Sequence, residues 1–485
     1  MHRIVLALML AAMLPAAAGE GDSTTWYRIA TVSGTPIGYA SEQVVVRADG
    51  RDVVYVQHVD VDQPGGDQSP AAELFSVRHP VHMFWRTTLK LDGAGRVFAL
   101  ATFTENGPNW SRDEIRIEAG NAVVVHRTRD GTTNSTIALP PDVRFDGGDG
   151  LLAAWNPQAT PRLAFDDFNA GALAVDHVTI EAAANGPLVA LRKRYAGGVL
   201  VSISRLTLDD SHRIVSAAQA MFGADVETRV TDRQSALAPH PPYQPLPDSM
   251  TKSPYCMSDD AIRGHIRYRF SFRDGIEFPL PETGEQRVTV AAGAATVDIC
   301  EGCGPGLASD ARALAEARRP TVWLESDAPA IVAIAAAANA PGLSDTKKME
   351  ILTRKTAAYL PRVDFIGHYT ALQALKRGAG DCTESAALLA ALGRAAGIAT
   401  RVVNGLVYSR ERYHGVSNVF LPHSWVLAYV DGHWKSFDAA LAEFDSTHIA
   451  ITISDGDERT ASAAHQLAGL LVWDQMQEVR ARPAP

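Results

Sequence analysis

The pair Asp431-Gly432 stands between two runs that alternate apolar and polar residues, 423–430 and 433–440, and it constrains the chain more than any other feature. An Asp-Gly connection of two residues favours a type I′ turn, because both central residues tolerate positive φ and the turn matches the twist of the flanking strands. The turn sets the register. Val430 faces His433, Trp425 faces Asp438 and His423 faces Ala440. Side chains alternate between faces, so His423, Trp425 and Asp438 share one face, with His423 and Asp438 as diagonal neighbours roughly 7–8 Å apart at the backbone. Asp438 is then able to accept a ring proton from His423, fix its tautomer and favour the imidazolium. That leaves the other ring nitrogen for a nucleophile.

A nucleophile stands upstream. Gly378, Ala379 and Gly380 end one helix, and Asp381 with Glu384 three residues later reads as a capping box opening the next. Cys382 falls in the first turn of that helix, where free backbone N–H groups and the positive end of the dipole are expected to favour a thiolate. Leu388, Leu389, Leu392, Ala395 and Ala396 recur at helical spacing and pin the helix, and Gly397 closes it. A cysteine on an Ala/Leu-rich helix, a histidine in a strand and an aspartate after a hairpin are each common as structural residues. Their joint order and register point to thiol catalysis.

The run GDCTESAALLAALGRAAGI, followed by RVVNGLVY, HSW, a strand ending in FDAAL and a trailing STHIAI, resembles the bacterial branch of the transglutaminase-like superfamily over residues 323–453. The resemblance implies a papain-like α+β fold, with the cysteine helix packed on an antiparallel sheet. It also implies Cys382 as nucleophile, His423 as base and Asp438 as orienting acid. Animal transglutaminases hold the oxyanion with a tryptophan upstream of the cysteine, and here no tryptophan lies between Trp323 and Cys382. The Cys382 N–H is the expected oxyanion donor, with Gln373 and Tyr369 as side-chain candidates. No acidic loop of EF-hand type occurs, so calcium is not implied, and the chemistry needs no cofactor.

The rest of the chain is read around this core. Residues 1–19 carry a short basic start, an apolar run from Ile4 to Leu14 and the small residues Ala16-Ala17-Ala18, the pattern of a cleaved signal peptide. The apolar run is shorter than the ~20 residues that span a bilayer, and no later stretch suffices, so no membrane span is expected after cleavage. The alanine-rich composition suits a bacterial, periplasmic protein. A formal net charge of −10 without a basic block argues against nucleic acid as a partner.

Residues 20–237 read as strand after strand, with Asp-Gly turns at 49, 92, 130 and 149, and form an antiparallel β-rich domain. The opening strand, Gly turn and IGY are similar to bacterial envelope modules built on a large curved sheet. Binding or docking of an envelope protein partner is the expected use of this half, alongside a purely structural one. The proline-rich stretch 238–254 reads as a stiff linker. Residues 255–308 form a small β segment, expected from relatives to pack on the catalytic domain. Residues 309–485 form the catalytic domain, which turns helical from Ser309 and includes a helix following Ser344.

Three cysteines remain. Cys300 and Cys303, or either with Cys256, suit one disulfide, and a redox pair or metal site is the alternative. A single CxxC without a second ligand pair or a βαβ context favours a structural Cys300–Cys303 bridge. Trp425, Tyr408 and Asn404 are candidates for lining a substrate groove, as are Tyr413 and His414 on the loop before His423. Trp434 is expected in the core. The whole reads as an exported thiol acyl-transfer enzyme acting on a protein or peptide substrate. The alternative is an inactive relative that serves as an envelope binding module.

Overall fold

The computed structural model describes residues 22–479 apart from 64–78, 108, 130, 184–185, 187, 222–223, 245–247, 339, 363–367 and 411–416. The signal segment at 1–19 and the groove candidates Tyr413 and His414 lie outside the described residues. The described residues fall into two compact units, 22–247 and 248–479. Both contribute to a mixed α+β protein whose helices concentrate in the second unit.

The first unit is one antiparallel sheet of fourteen strands. Two meanders, the first running from β1 (Ser23–Thr31) to β8 (Gly131–Ala138) and the second from β9 (Arg162–Asn169) to β14 (Ala224–Thr231), join where β1 pairs β14 with Trp26 opposite Thr231. The earliest and latest strands therefore meet mid-sheet, and β8 and β9 are the edges. Alternation puts Tyr27 and Ile29 of β1 in the core with Ala40, Val59 and Met83. The expected turn at Asp149-Gly150 is instead one helical turn, Asp149–Leu152. The Asp146 carboxylate accepts the N–H groups of Gly148 and Gly150 and curls the chain there, and Asp149 is drawn inward by the buried Arg192 at 3.1 Å. Arg194 likewise meets Asp167 at 2.8 Å, so both of these buried arginines are paired with a carboxylate.

The second unit holds two sheets. In the larger, β19 (Ala399–Ser409) pairs with β20 (Val419–Val430) on one side and β22 (Ile449–Ser454) on the other. The far edge of β20 carries two short strands, β15 (Thr251–Lys252) and β21 (His433–Phe437). Residues 248–254, read as linker from their composition, are thus partly spent on a strand. The smaller sheet runs β17 (Gln286–Ala291), β18 (Ala294–Ile299), β16 (Ile266–Phe272), β23 (Leu471–Glu478). Its last strand comes from the C-terminal end and exposes polar residues along most of its length.

Helices α1 (Pro329–Ala338), α2 (Asp345–Tyr359, capped by Ser344), α3 (Ala371–Arg377) and α4 (Cys382–Ala395) pack around a core of Ile331, Met349, Leu352, Leu388, Leu389 and Leu392. This core meets β20 through Val426, Ala428 and Val430, whereas Trp425 and Leu427 turn to a second core with Val403 and Trp434. Alternation along one strand thus seals both faces of the sheet. Among the described residues no helix is long and apolar enough to cross a membrane. Cys300 and Cys303 form a disulfide, while Cys256 and Cys382 are free thiols.

Candidate active site

Helix α4 opens on the expected capping box. The Asp381 carboxylate accepts the Thr383 N–H at 2.7 Å, and the Glu384 carboxylate accepts the Asp381 N–H at 3.0 Å and the Tyr369 N–H at 2.9 Å. Cys382 is the first residue of the helix and is partly covered. The expected thiolate does not follow. Burial, with the Asp381 carboxylate next in weight, pushes the Cys382 thiol well above the usual cysteine range, and Asp438 and Glu384 add to the rise. The same cap that starts the helix therefore offsets the helix dipole at the sulfur.

One group works in the other direction, the backbone N–H of Ser424, which faces the Cys382 sulfur. Its position has a clear cause. On the edge of β20 away from β19, β15 covers Val419 and Phe420, and β21 covers Val426 through Val430. Between them, among the described residues, 421–425 have no partner strand on that edge. The sulfur stands in this gap, beside the residue that follows His423.

The hairpin has the expected register, with Val430 opposite His433 and Val426 opposite Phe437, and positive φ at Asp431 (50°) and Gly432 (91°). Its strands have other limits than expected. β20 begins four residues before His423, and β21 stops at Phe437 rather than Ala440. The chain leaves the sheet because Asp438 Oδ1 accepts the N–H groups of Ala440 and Leu441, at 2.7 and 3.0 Å, and bends it into a turn. Asp438 Oδ2 remains directed at His423 and accepts from its Nε2 at 2.6 Å.

A second histidine shares that oxygen. His448, just before β22, donates from Nε2 to Asp438 Oδ2 at 3.1 Å and from Nδ1 to Asp445 Oδ1 at 3.0 Å. It is fully buried against Trp425 and Phe444. Burial disfavours the charged ring, but the two carboxylates outweigh it and push the His448 pKa up to about 9. Burial alone would raise Asp438, yet His423 and then His448 hold it far below the usual carboxylate range. His423, Asp438 and His448 place three possible donor atoms within 4.8 Å of one another. The carboxylate takes four hydrogen bonds and both nitrogens of His448 are engaged, so the three side chains form one hydrogen-bonded network.

The other sequence candidates are used elsewhere. Gln373 is exposed and closes the α3 capping box with Thr370, its Oε1 accepting the Thr370 N–H at 3.1 Å. The Tyr369 ring lies against the Arg377 guanidinium at 4.1 Å. Trp425, Asn404 and Tyr408 are buried rather than lining an open groove. Trp425 fills the second core, Asn404 accepts from Ser424 Oγ at 2.8 Å, and Tyr408 donates to Asn418 at 2.6 Å. Trp434 is in the core as expected. A cavity of about 380 Å³ is lined by Glu285, Lys435, Asp438 and Asp445 among others, and its lining excludes Cys382 and His423. His448 was the functional candidate that sequence reasoning passed over. Its only signal was its place in STHIAI, at the head of a strand.

Residues 332–439 match the family model of the transglutaminase-like superfamily. No curated protein matches the chain. Among solved structures, a candidate cysteine protease from Cytophaga hutchinsonii is similar at 14% identity and a TM-score of 0.28, over 46% of this chain and 89% of that one. A β-barrel-like protein of unknown function from Brucella abortus aligns at 13% identity and a TM-score of 0.32, over 43% of this chain and 95% of its own. A candidate protease from Parabacteroides distasonis aligns at 13% identity and a TM-score of 0.20, over 75% of this chain and 70% of that one.

Proposed function

We propose that this chain, whose residues 332–439 carry a transglutaminase-like domain, is an exported thiol enzyme that transfers acyl groups from an amide or isopeptide carbonyl of a protein or peptide. Cys382 is the nucleophile, His423 the general base and acid, and Asp438 the group that orients His423 and stabilises the imidazolium formed when it takes the proton. The reading rests above all on one observation, the 2.6 Å hydrogen bond from His423 Nε2 to a buried, ionised Asp438, beside the strand gap that admits the Cys382 sulfur.

The chemistry follows from the charges. Because the thiol rests protonated, His423 removes its proton through Nδ1 as the sulfur attacks, instead of standing ready as an ion pair. The N–H of Cys382 at the head of α4 faces the developing oxyanion. His423 then returns the proton to the leaving amine, and a thioester remains on Cys382. Water resolves it to a carboxylate, or an amine resolves it to a new amide. Hydrolysis is the default, water being always present.

The two free thiols give an internal control. With iodoacetamide at pH 7.5, and peptide mass spectrometry to separate the sites, His423→Ala should slow labelling of Cys382 by about tenfold or more, while the exposed Cys256 keeps its rate. Equal labelling of Cys382 with and without His423 would overturn the assignment.

A further inference from the structure

The first unit carries a histidine cluster of its own. It lies on β3 (Gly50–Gln63) and β4 (His79–Asp92), which pair with Asp60 directly opposite His82. His58 stands two residues before Asp60 and therefore on the same face. His82 Nδ1 bonds Asp60 Oδ1, and His58 Nε2 approaches the same oxygen at 3.5 Å. The two imidazoles lie near parallel, 23° between planes and 6.0 Å between centroids. All three donor atoms fall within 4.8 Å of one another.

We propose that His58, Asp60 and His82 form a binding site for a divalent transition metal, with zinc the best match to two imidazoles and one carboxylate. Tetrahedral zinc at ~2.0–2.1 Å from its ligands needs donors somewhat over 3 Å apart, so the existing spacing requires only small side-chain rotations. His82 has the freedom for them, its side chain being 68% exposed. His58 is held more firmly, because the Tyr39 ring meets it edge-on at 5.3 Å.

The backbone beneath the site is also fixed. The Tyr243 N–H donates to the Asp60 carbonyl and the Asp62 N–H to the Tyr243 carbonyl, where β3 has run past its partner β2 (Pro36–Arg47). This strap brings His240 into the electrostatic range of His58. His240 Nδ1 donates to the Pro241 carbonyl at 3.0 Å, which leaves Nε2 with its lone pair. Three side chains on an open face leave a fourth position for water, His240 or a partner's ligand. In the second unit the Asp438 cluster is saturated by internal hydrogen bonds; here His58 and Asp60 are half-buried and His82 is exposed.

Zinc titration of the full chain, followed by isothermal calorimetry and native mass spectrometry in a Cys256→Ser/Cys382→Ser background, tests the proposal. One zinc ion per chain should bind at about micromolar concentration. His58→Gln or His82→Gln should weaken it by at least about tenfold with the circular dichroism unchanged, and Asp60→Asn, which keeps the shape of the site, should also weaken it. A chain that binds no zinc, or a His58→Gln/His82→Gln variant that binds as tightly as its parent, would overturn the site.

Discussion

Asp438 is the residue on which the second unit turns, since it ends a strand, orients one histidine and neutralises another. His448 contributes through this carboxylate and leads to a pH prediction. Its pKa is raised from 6.5 to about 9, so its stabilisation is complete below about pH 6.5 and is lost as pH rises towards 9. The full effect is at most about 3 kcal/mol by the usual conversion of pKa shift to free energy. Asp438 has the opposite sign, its contribution being present above about pH 4 and lost on acidification. The melting temperature of the wild type should therefore fall between pH 6.5 and 9, and His448→Gln should be less stable at pH 6 with a flatter profile over that range. Parallel profiles for the two proteins would exclude this account. The pairing of His423 with Asp438 was legible because both belong to one hairpin whose turn counts out the register. His448 was not, because its strand meets the hairpin only through β19, across a register shift between Asn404 and Gly405.

At the scale of elements, the start of α4 sets stability against reactivity. Asp381 caps the helix and also raises the thiol pKa. Asp381→Ala should cost about 1 kcal/mol in chemical denaturation, and it should lower the pH at which Cys382 becomes alkylated. A variant that loses stability with the alkylation profile unmoved would refute the second effect. The capping box itself could be read from sequence, being local. What could not be read is that the helix start sets its partly covered cysteine among three carboxylates, since Asp438 arrives from another part of the chain. Gly405 makes a similar point for the sheet. It pairs with His423 on one side and Ala450 on the other, and a Cβ there would stand 1.9 Å from the Ile449 carbonyl oxygen. Gly405→Ala should destabilise by more than about 2 kcal/mol and slow the His423-dependent labelling of Cys382, because β22 must retreat and take His448 with it.

At the scale of the molecule there are two compact units in separate stretches of chain, each with its own buried residues, and calorimetry should resolve more than one transition, of which Gly405→Ala moves only that of the second unit. A single transition that shifts as a whole would contradict this. By itself the sequence determined what is local: alternation for the strands, Asp-Gly for the hairpin and its register, the cap and stripe of α4, and hence the order Cys, His, Asp. Even there it erred where a side chain intervened, as when Asp146 curled the Asp149-Gly150 turn into a helix and Asp438 ended β21 early. Only the tertiary structure decided that β1 closes on β14, that β23 completes a sheet begun about 200 residues earlier, and that β15 and β21 leave a gap on β20 for the sulfur. It also decided that Trp425, Asn404 and Tyr408 are buried, and that two histidines share one carboxylate. The physical reason is common to all of these. Burial and pairing depend on which distant surfaces meet, and spacing along the chain carries that information only as far as a single turn can count.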